Sequence, residues 1–174
     1  MRGPYEDATQ ETVHNPPPYI EARRRLMLSA PGFWRNLKPL ALGFQLFKVF
    51  VELNFDIYVV TKGPSGSTQA WAKKVEWCRQ HVPDAQIVIA DDKSIVGGNV
   101  LVEDWPPYIE SWLHRWHRGF VIVPARSWNI DIEARFYGMA IRYDGRNLEI
   151  LRQRLESIRV KCQKKRSVLP VEKW

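Results

Sequence analysis

Cysteine is scarce in this sequence: Cys78 and Cys162 are the only two. Two thiols cannot build a disulfide framework, so the expected compartment is a reducing cytoplasm. Long apolar runs are missing too, and nothing approaches the roughly 18 uninterrupted apolar residues of a membrane helix, which excludes a membrane partner. The opening MRGPYEDATQETVHN has no apolar stretch of the kind a secretory leader needs. No internal repeat is present. Acidic residues are outnumbered, 19 against 26 Lys+Arg, and the net charge of +7 favours anionic partners such as nucleotides, nucleic acid or acidic surfaces. What remains is an ordinary globular composition, 45% hydrophobic and 26% charged over 174 residues, sized for one domain.

The pattern along the chain divides it into a polar arm with a short helix over 1–30, a core over 31–160 and a basic tail over 161–174. Pro16, Pro17 and Pro18 fix φ and remove backbone donors, so residues 1–19 read as extended. A short helix is expected over 20–29, ended by Pro31-Gly32. In LALGFQLFKVFVEL (40–53), Gln45, Lys48 and Glu52 fall on one narrow face, and a helix buried on most sides is predicted. The apolar runs IYVVT (57–61), QIVIA (86–90), VLVED (100–104) and FVIVP (120–124), with a weaker MAIRY (139–143), have strand length and little polar alternation. Such strands suit a mostly parallel sheet covered on both faces. Helices are predicted between and after them at 68–81, with Ser67 or Thr68 as N-cap, and at 147–160. Strands alternating with helices make the class α/β.

In an open parallel sheet, ligands sit beyond the carboxyl ends of the strands. Three ends carry chemistry. Thr61-Lys62-Gly63 offers a hydroxyl, an ammonium and a glycine turn able to hold phosphate. Asp91-Asp92-Lys93 offers a second cation after the next strand. Glu103-Asp104 is an adjacent carboxylate pair of the kind that holds Mg²⁺ through one or two oxygens and water. Bland readings compete: threonine at a strand end is commonly a turn residue and a lysine is commonly solvated. Their order along successive strands says more than any one of them.

That order, with PGFWRNLKPL (31–40), IYVVTKGP (57–64), WAKKVEWCRQHVP (71–83), DDKSIVGGNVLVEDWPPYI (91–109), FVIVPARSWN (120–129) and IRYDGRNLEIL (141–151), resembles the 5'(3')-deoxyribonucleotidases and related phage and bacterial nucleotidases of the haloacid dehalogenase (HAD) superfamily. The resemblance implies a HAD-like three-layer sandwich in the host or bacterial cytoplasm, with residues 1–30 as a cap remnant. It implies Mg²⁺-dependent dephosphorylation of (deoxy)nucleoside monophosphates. Thr61 matches the Thr/Ser that bonds the transferring phosphoryl group, with Lys62 beside it; Lys93 matches the charge-neutralising lysine, and Asp104 with Glu103 the acidic metal motif. Glu103 stands where Asp is more usual, and Trp105 and Pro107 replace an arginine and an aspartate that often follow.

The sequence contains no DxDxT/V motif, whose first Asp is the family's nucleophile; Asp7-Ala8-Thr9 has a single acid and follows no apolar strand. Without an in-line carboxylate no aspartyl-phosphate can form, so the chain is expected to be inactive alone. In the family that motif ends a central strand, between the strand ending at Thr61 and the one ending at Asp104. Its absence implies that these strands close onto each other, that another polypeptide or the second chain of a homodimer supplies a strand, or that the sequence is a fragment or an internally started product.

The alternative to a nucleotidase is a catalytically silent interaction protein, a pseudoenzyme on the same scaffold. Trp105, Tyr108, Ile109, Trp112 and Trp116 lie at helical spacing and read as core, with a stacking or partner surface as the functional alternative. His114 and His117 lack a third ligand for Zn²⁺. Arg23, Arg24, Arg25 and the Lys/Arg tail are short clusters without interleaved aromatics, which argues against a nucleic-acid module.

Overall fold

The computed structural model describes residues 15–62 and 68–168. The expectations for Asp7-Ala8-Thr9, the turn at 63–67 and the last six residues fall outside that range. Helix α1 (Pro18–Ser29) starts with proline in its first turn, where a missing N–H costs nothing. Helix α2 (Ala41–Glu52) ends at Asn54, whose φ of 55° lets Phe55 N–H reach back to Phe50 carbonyl and reverses the chain into the sheet. There follow β1 (Tyr58–Thr61), α3 (Thr68–His81), β2 (Gln86–Ile89), β3 (Val100–Val102), α4 (Pro106–Arg115), β4 (Phe120–Pro124), α5 (Ile132–Arg135), β5 (Ala140–Tyr143) and α6 (Leu148–Val168). Every strand pairing is parallel, so the class is α/β with helical crossovers, as expected of a HAD-like domain. No helix among the described residues is long and apolar enough to cross a membrane.

The strands do not form one sheet. Among the described residues β1 pairs only with β2, from Tyr58↔Gln86 to Thr61↔Ile89, while β3, β4 and β5 form a second sheet in that order. The three-stranded sheet holds most of the core. Along β4 the side chains alternate between two clusters: Phe120 and Ile122 meet Leu46, Val49 and Phe50 of α2 and Leu151 and Leu155 of α6. Val121 and Val123 meet Ile109, Trp112 and Leu113 of α4 and Ile132 of α5. Helices thus cover both faces, which is why β4 reads as an uninterrupted apolar run.

The structure differs from expectation in three places. α2 buries only Leu46, Val49 and Phe50; Ala41 and Val51 are exposed along with Gln45, Lys48 and Glu52, so the solvent face is wider than the polar residues mark. β3 stops at Val102, so Glu103 and Asp104 lie in the loop beyond it. α6 continues to Val168, through residues expected to belong to the tail. The helical spacing of the tryptophan-bearing segment is borne out in α4, which Pro106 and Pro107 start and which buries Ile109 and Trp112.

Candidate functional site

Of the five residues singled out at the carboxyl ends of β1, β2 and β3, Lys93, Glu103 and Asp104 engage other residues through their side chains, and Thr61 and Lys62 accept hydrogen bonds at their backbone carbonyls. Lys93 opens the short turn after β2, where Asp92 accepts Ser94 N–H at 2.9 Å and fixes the loop. Its Nζ donates to Glu103 Oε2 at 2.5 Å and sits 4.2 Å from the centre of the Tyr108 ring. The two side chains are only 21% and 12% exposed, so the pair lies in a low-dielectric setting where its Coulomb attraction is strong. Glu103 Oε1 also accepts the N–H groups of Asp104 and Trp105, both at 3.2 Å. Burial nevertheless holds the Glu103 carboxyl above the ordinary glutamate range, with Lys93 opposing the shift.

Asp104 turns the other way. Its Oδ2 accepts from Arg126 Nε at 3.1 Å, and its carbonyl accepts from Trp128 Nε1 and Asn129 Nδ2. Asn129 is fully buried and ties the neighbourhood together: its amide also donates to Pro124 carbonyl, and its Oδ1 accepts from Arg126 N–H and Arg142 Nε. Arg126, Asn129 and Arg142 were not singled out from the sequence. The signal was there, since Arg126 and Asn129 directly follow β4 and Arg142 lies near the end of β5, and the rule applied to three strand ends extends to these two.

Thr61 ends β1 half-buried, its carbonyl accepting Ala90 N–H at 3.1 Å. Lys62 is exposed, and its carbonyl accepts Lys74 Nζ from α3 at 2.6 Å. Burial lowers the Lys74 pKa, and the positive charge of Lys93 lowers it further. The lysines thus share one field at the strand ends, an arrangement that an arriving anion relieves. Lys93 and Glu103 touch and line the same cavity; Thr61 directly follows the cavity-lining Val60, whereas Asp104 is drawn toward Arg126.

The donor set does not by itself fit Mg²⁺. Glu103 is engaged by Lys93 and Asp104 by Arg126, and no group of three or more metal-ligating side chains occurs among the described residues. The tryptophans do structural work here: Trp112 and Trp116 donate to Val96 and Ser94 carbonyls at 3.0 and 2.8 Å, pinning the Lys93 loop to α4. A Cβ on Gly97 would come within 2.8 Å of the Trp116 ring, so this close approach requires glycine.

The family model described as 5' nucleotidase, deoxy (pyrimidine), cytosolic type C protein matches residues 6–141, which takes in the carboxyl ends of β1 to β4 and stops within β5. The chain belongs to this family. It is also similar to proteins named "Putative 5'(3')-deoxyribonucleotidase" from Bordetella bronchiseptica, 24% identical over 102 residues, and Bordetella pertussis, 26% identical over 102 residues. Each alignment covers 57% of this chain and 55% of the relative, so the chain spans about half the length of the curated relatives it matches.

Proposed function

We propose that this chain is the phosphate-binding body of a nucleotidase-type phosphohydrolase, one that binds (deoxy)nucleoside monophosphates and does not turn them over unaided. The observation that carries the reading is the lysine field at the ends of β1 and β2, where Lys74 reaches the Lys62 carbonyl next to Thr61 and Lys93 pairs with Glu103. A phosphate dianion placed there meets the ammonium groups of Lys62 and Lys93, and its arrival offsets the repulsion between Lys93 and Lys74. Thr61 and Lys93 would orient the phosphoryl group. Glu103 holds Lys93 in place, and Arg126 and Asn129 hold the loop carrying Asp104.

Phosphoryl transfer needs an attacking group in line with the leaving oxygen, and positioning carries most of the rate. Glu103 and Asp104 are both committed to cations, and neither is free to attack. Activity therefore waits on a carboxylate brought by a further strand, and no step through a metal follows from these residues alone. The purified chain should bind dTMP or inorganic phosphate, and Lys93→Met should weaken that binding at least about tenfold, equivalent to about 1.4 kcal/mol. It should not hydrolyse dTMP or p-nitrophenyl phosphate. Turnover abolished by Asp104→Asn would overturn the inactivity, and unchanged binding in Lys93→Met would overturn the site.

The two internal ion pairs also favour a second reading, a silent interaction scaffold whose former site is locked by Lys93–Glu103 and Arg126–Asp104. That reading expects no nucleotide or phosphate binding at all, so the same titration separates the two.

A further inference from the structure

An acid pair that holds a divalent cation must turn its oxygens toward one point, because Mg²⁺ takes oxygens at about 2.1 Å in a near-octahedral shell. Glu103 and Asp104 turn apart instead. Glu103 meets Lys93 on the wall of a cavity of about 500 Å³ bordered by β1 and β3, and neither Asp104 nor Arg126 lines that cavity. Both Glu103 oxygens are taken, Oε2 by Lys93 and Oε1 by the N–H groups of Asp104 and Trp105. Asp104 Oδ2 is taken by Arg126 Nε, and the Asp104 carbonyl by Trp128 and Asn129. At most one carboxylate oxygen of the pair, Asp104 Oδ1, is left to a metal, and it lies on the carboxylate that the guanidinium grips.

Arg126 is fixed in that place from both sides of its backbone. Its N–H donates to Asn129 Oδ1 at 2.9 Å, and its carbonyl accepts from Arg142 Nη2 at 3.0 Å. Asn129 is fully buried and also accepts from Arg142 Nε at 3.2 Å, so the two anchors brace each other. The guanidinium lies 5.9 Å from the centre of the Trp128 ring. The Arg126 and Asp104 side chains are 27% and 34% exposed, which leaves their attraction only partly screened. A cation tied to the chain beside its carboxylate competes at a high effective concentration, and it repels any dication that approaches the same oxygens.

We propose that Arg126 is this protein's own cation at Asp104 and keeps divalent metal from the acid pair. Lys93 does the same service at Glu103, so the charge of each carboxylate is met from within the chain. The role belongs to a positioned guanidinium, and it holds whether the strand ends bind a nucleotide or serve only as a scaffold. It therefore goes beyond the nucleotide-binding reading without resting on it.

The test titrates the full chain with Mn²⁺ in place of Mg²⁺, reading free Mn²⁺ by electron paramagnetic resonance. The wild-type chain should show no saturable binding tighter than about 1 mM. Arg126→Ala, which leaves both backbone anchors in place, should gain affinity by at least about tenfold, and adding Asp104→Asn should remove the gain. Arg126→Lys keeps a cation at the position and should still exclude the metal, which a purely structural role for Arg126 does not predict. Wild-type binding tighter than about 1 mM that Asp104→Asn abolishes would overturn the proposal, and that arm needs no change at Arg126. So would a folded Arg126→Ala chain that binds Mn²⁺ no better than wild type, or a gain that survives Asp104→Asn. No anion enters these titrations, so their outcome is separate from a failure to bind dTMP.

Discussion

The two sheets are built from strands of similar length and composition, yet they end in different states. Each residue of β4 is buried, with a parallel neighbour on both sides and helices over both faces. β1 and β2 each have one exposed and three half-buried residues, one neighbour, and a cavity along the free edge of β1. Apolar sequence alone therefore does not bury a strand; the number of its neighbours does. β4 is finished on both sides, whereas β1 and β3 each have one neighbour and face the cavity along the other edge.

That contrast can be broken by measurement, starting with the largest expected effect. Ile122→Ala removes a side chain in contact on every side and should cost about 3 kcal/mol in denaturant unfolding, within the usual range for buried Ile to Ala. A loss no larger than that of the equivalent change in β1 would erase the difference between the halves. Asn129→Ala should come next, at roughly 2 kcal/mol, because it takes the partner from the Pro124 carbonyl and from Arg126 N–H and leaves the Asp104 carbonyl with Trp128 alone. Asn129→Asp should not rescue it, since a carboxylate supplies no donor to those carbonyls.

The Lys93–Glu103 pair sharpens the comparison at the boundary between the halves. Because burial raises the Glu103 pKa in the folded state, the folded protein holds that proton where the unfolded chain has already released it. The contribution of Glu103 to stability is therefore fully present below the ordinary glutamate value of 4.5 and is lost as pH rises through the higher folded value. Urea midpoints measured upward from pH 4 should fall through that window, and Glu103→Gln should flatten the decline. Lys93→Met should steepen it, because it removes the charge that opposes the shift. A steeper decline in Glu103→Gln would contradict the assignment. The smallest effect is expected at Val60→Ala, below about 1 kcal/mol, since the side chain borders the cavity and loses few contacts.

Much of the architecture was legible because parallel strands covered by helices leave a plain record, continuous apolar runs such as FVIVP at 120–124. The helix over 68–81 and that strand fall where the pattern places them. The order of Thr61, Lys93 and Glu103-Asp104 along the strands pointed to one end of the sheet, where Lys93 and Glu103 meet. Other features were not legible, for physical reasons. Asp104 faces Arg126 instead of Lys93 because Asn129 and Trp128 grip its carbonyl, a tertiary contact spanning more than twenty residues. The burial of α2 was overestimated because periodicity records which face is apolar and is silent about whether anything lies against it. Lys74 joined the site from α3 through a backbone carbonyl, which no spacing rule reveals.

Amide exchange of the unliganded chain tests the central claim, that β1 and β3 present open edges to one cavity, most directly. The account predicts a strict alternation: slow exchange at Val59, Thr61, Leu101 and Glu103, whose N–H groups face β2 or β4, and fast exchange at Tyr58, Val60, Val100 and Val102. Uniformly slow exchange along both strands would mean that the edges are already paired, and would contradict it.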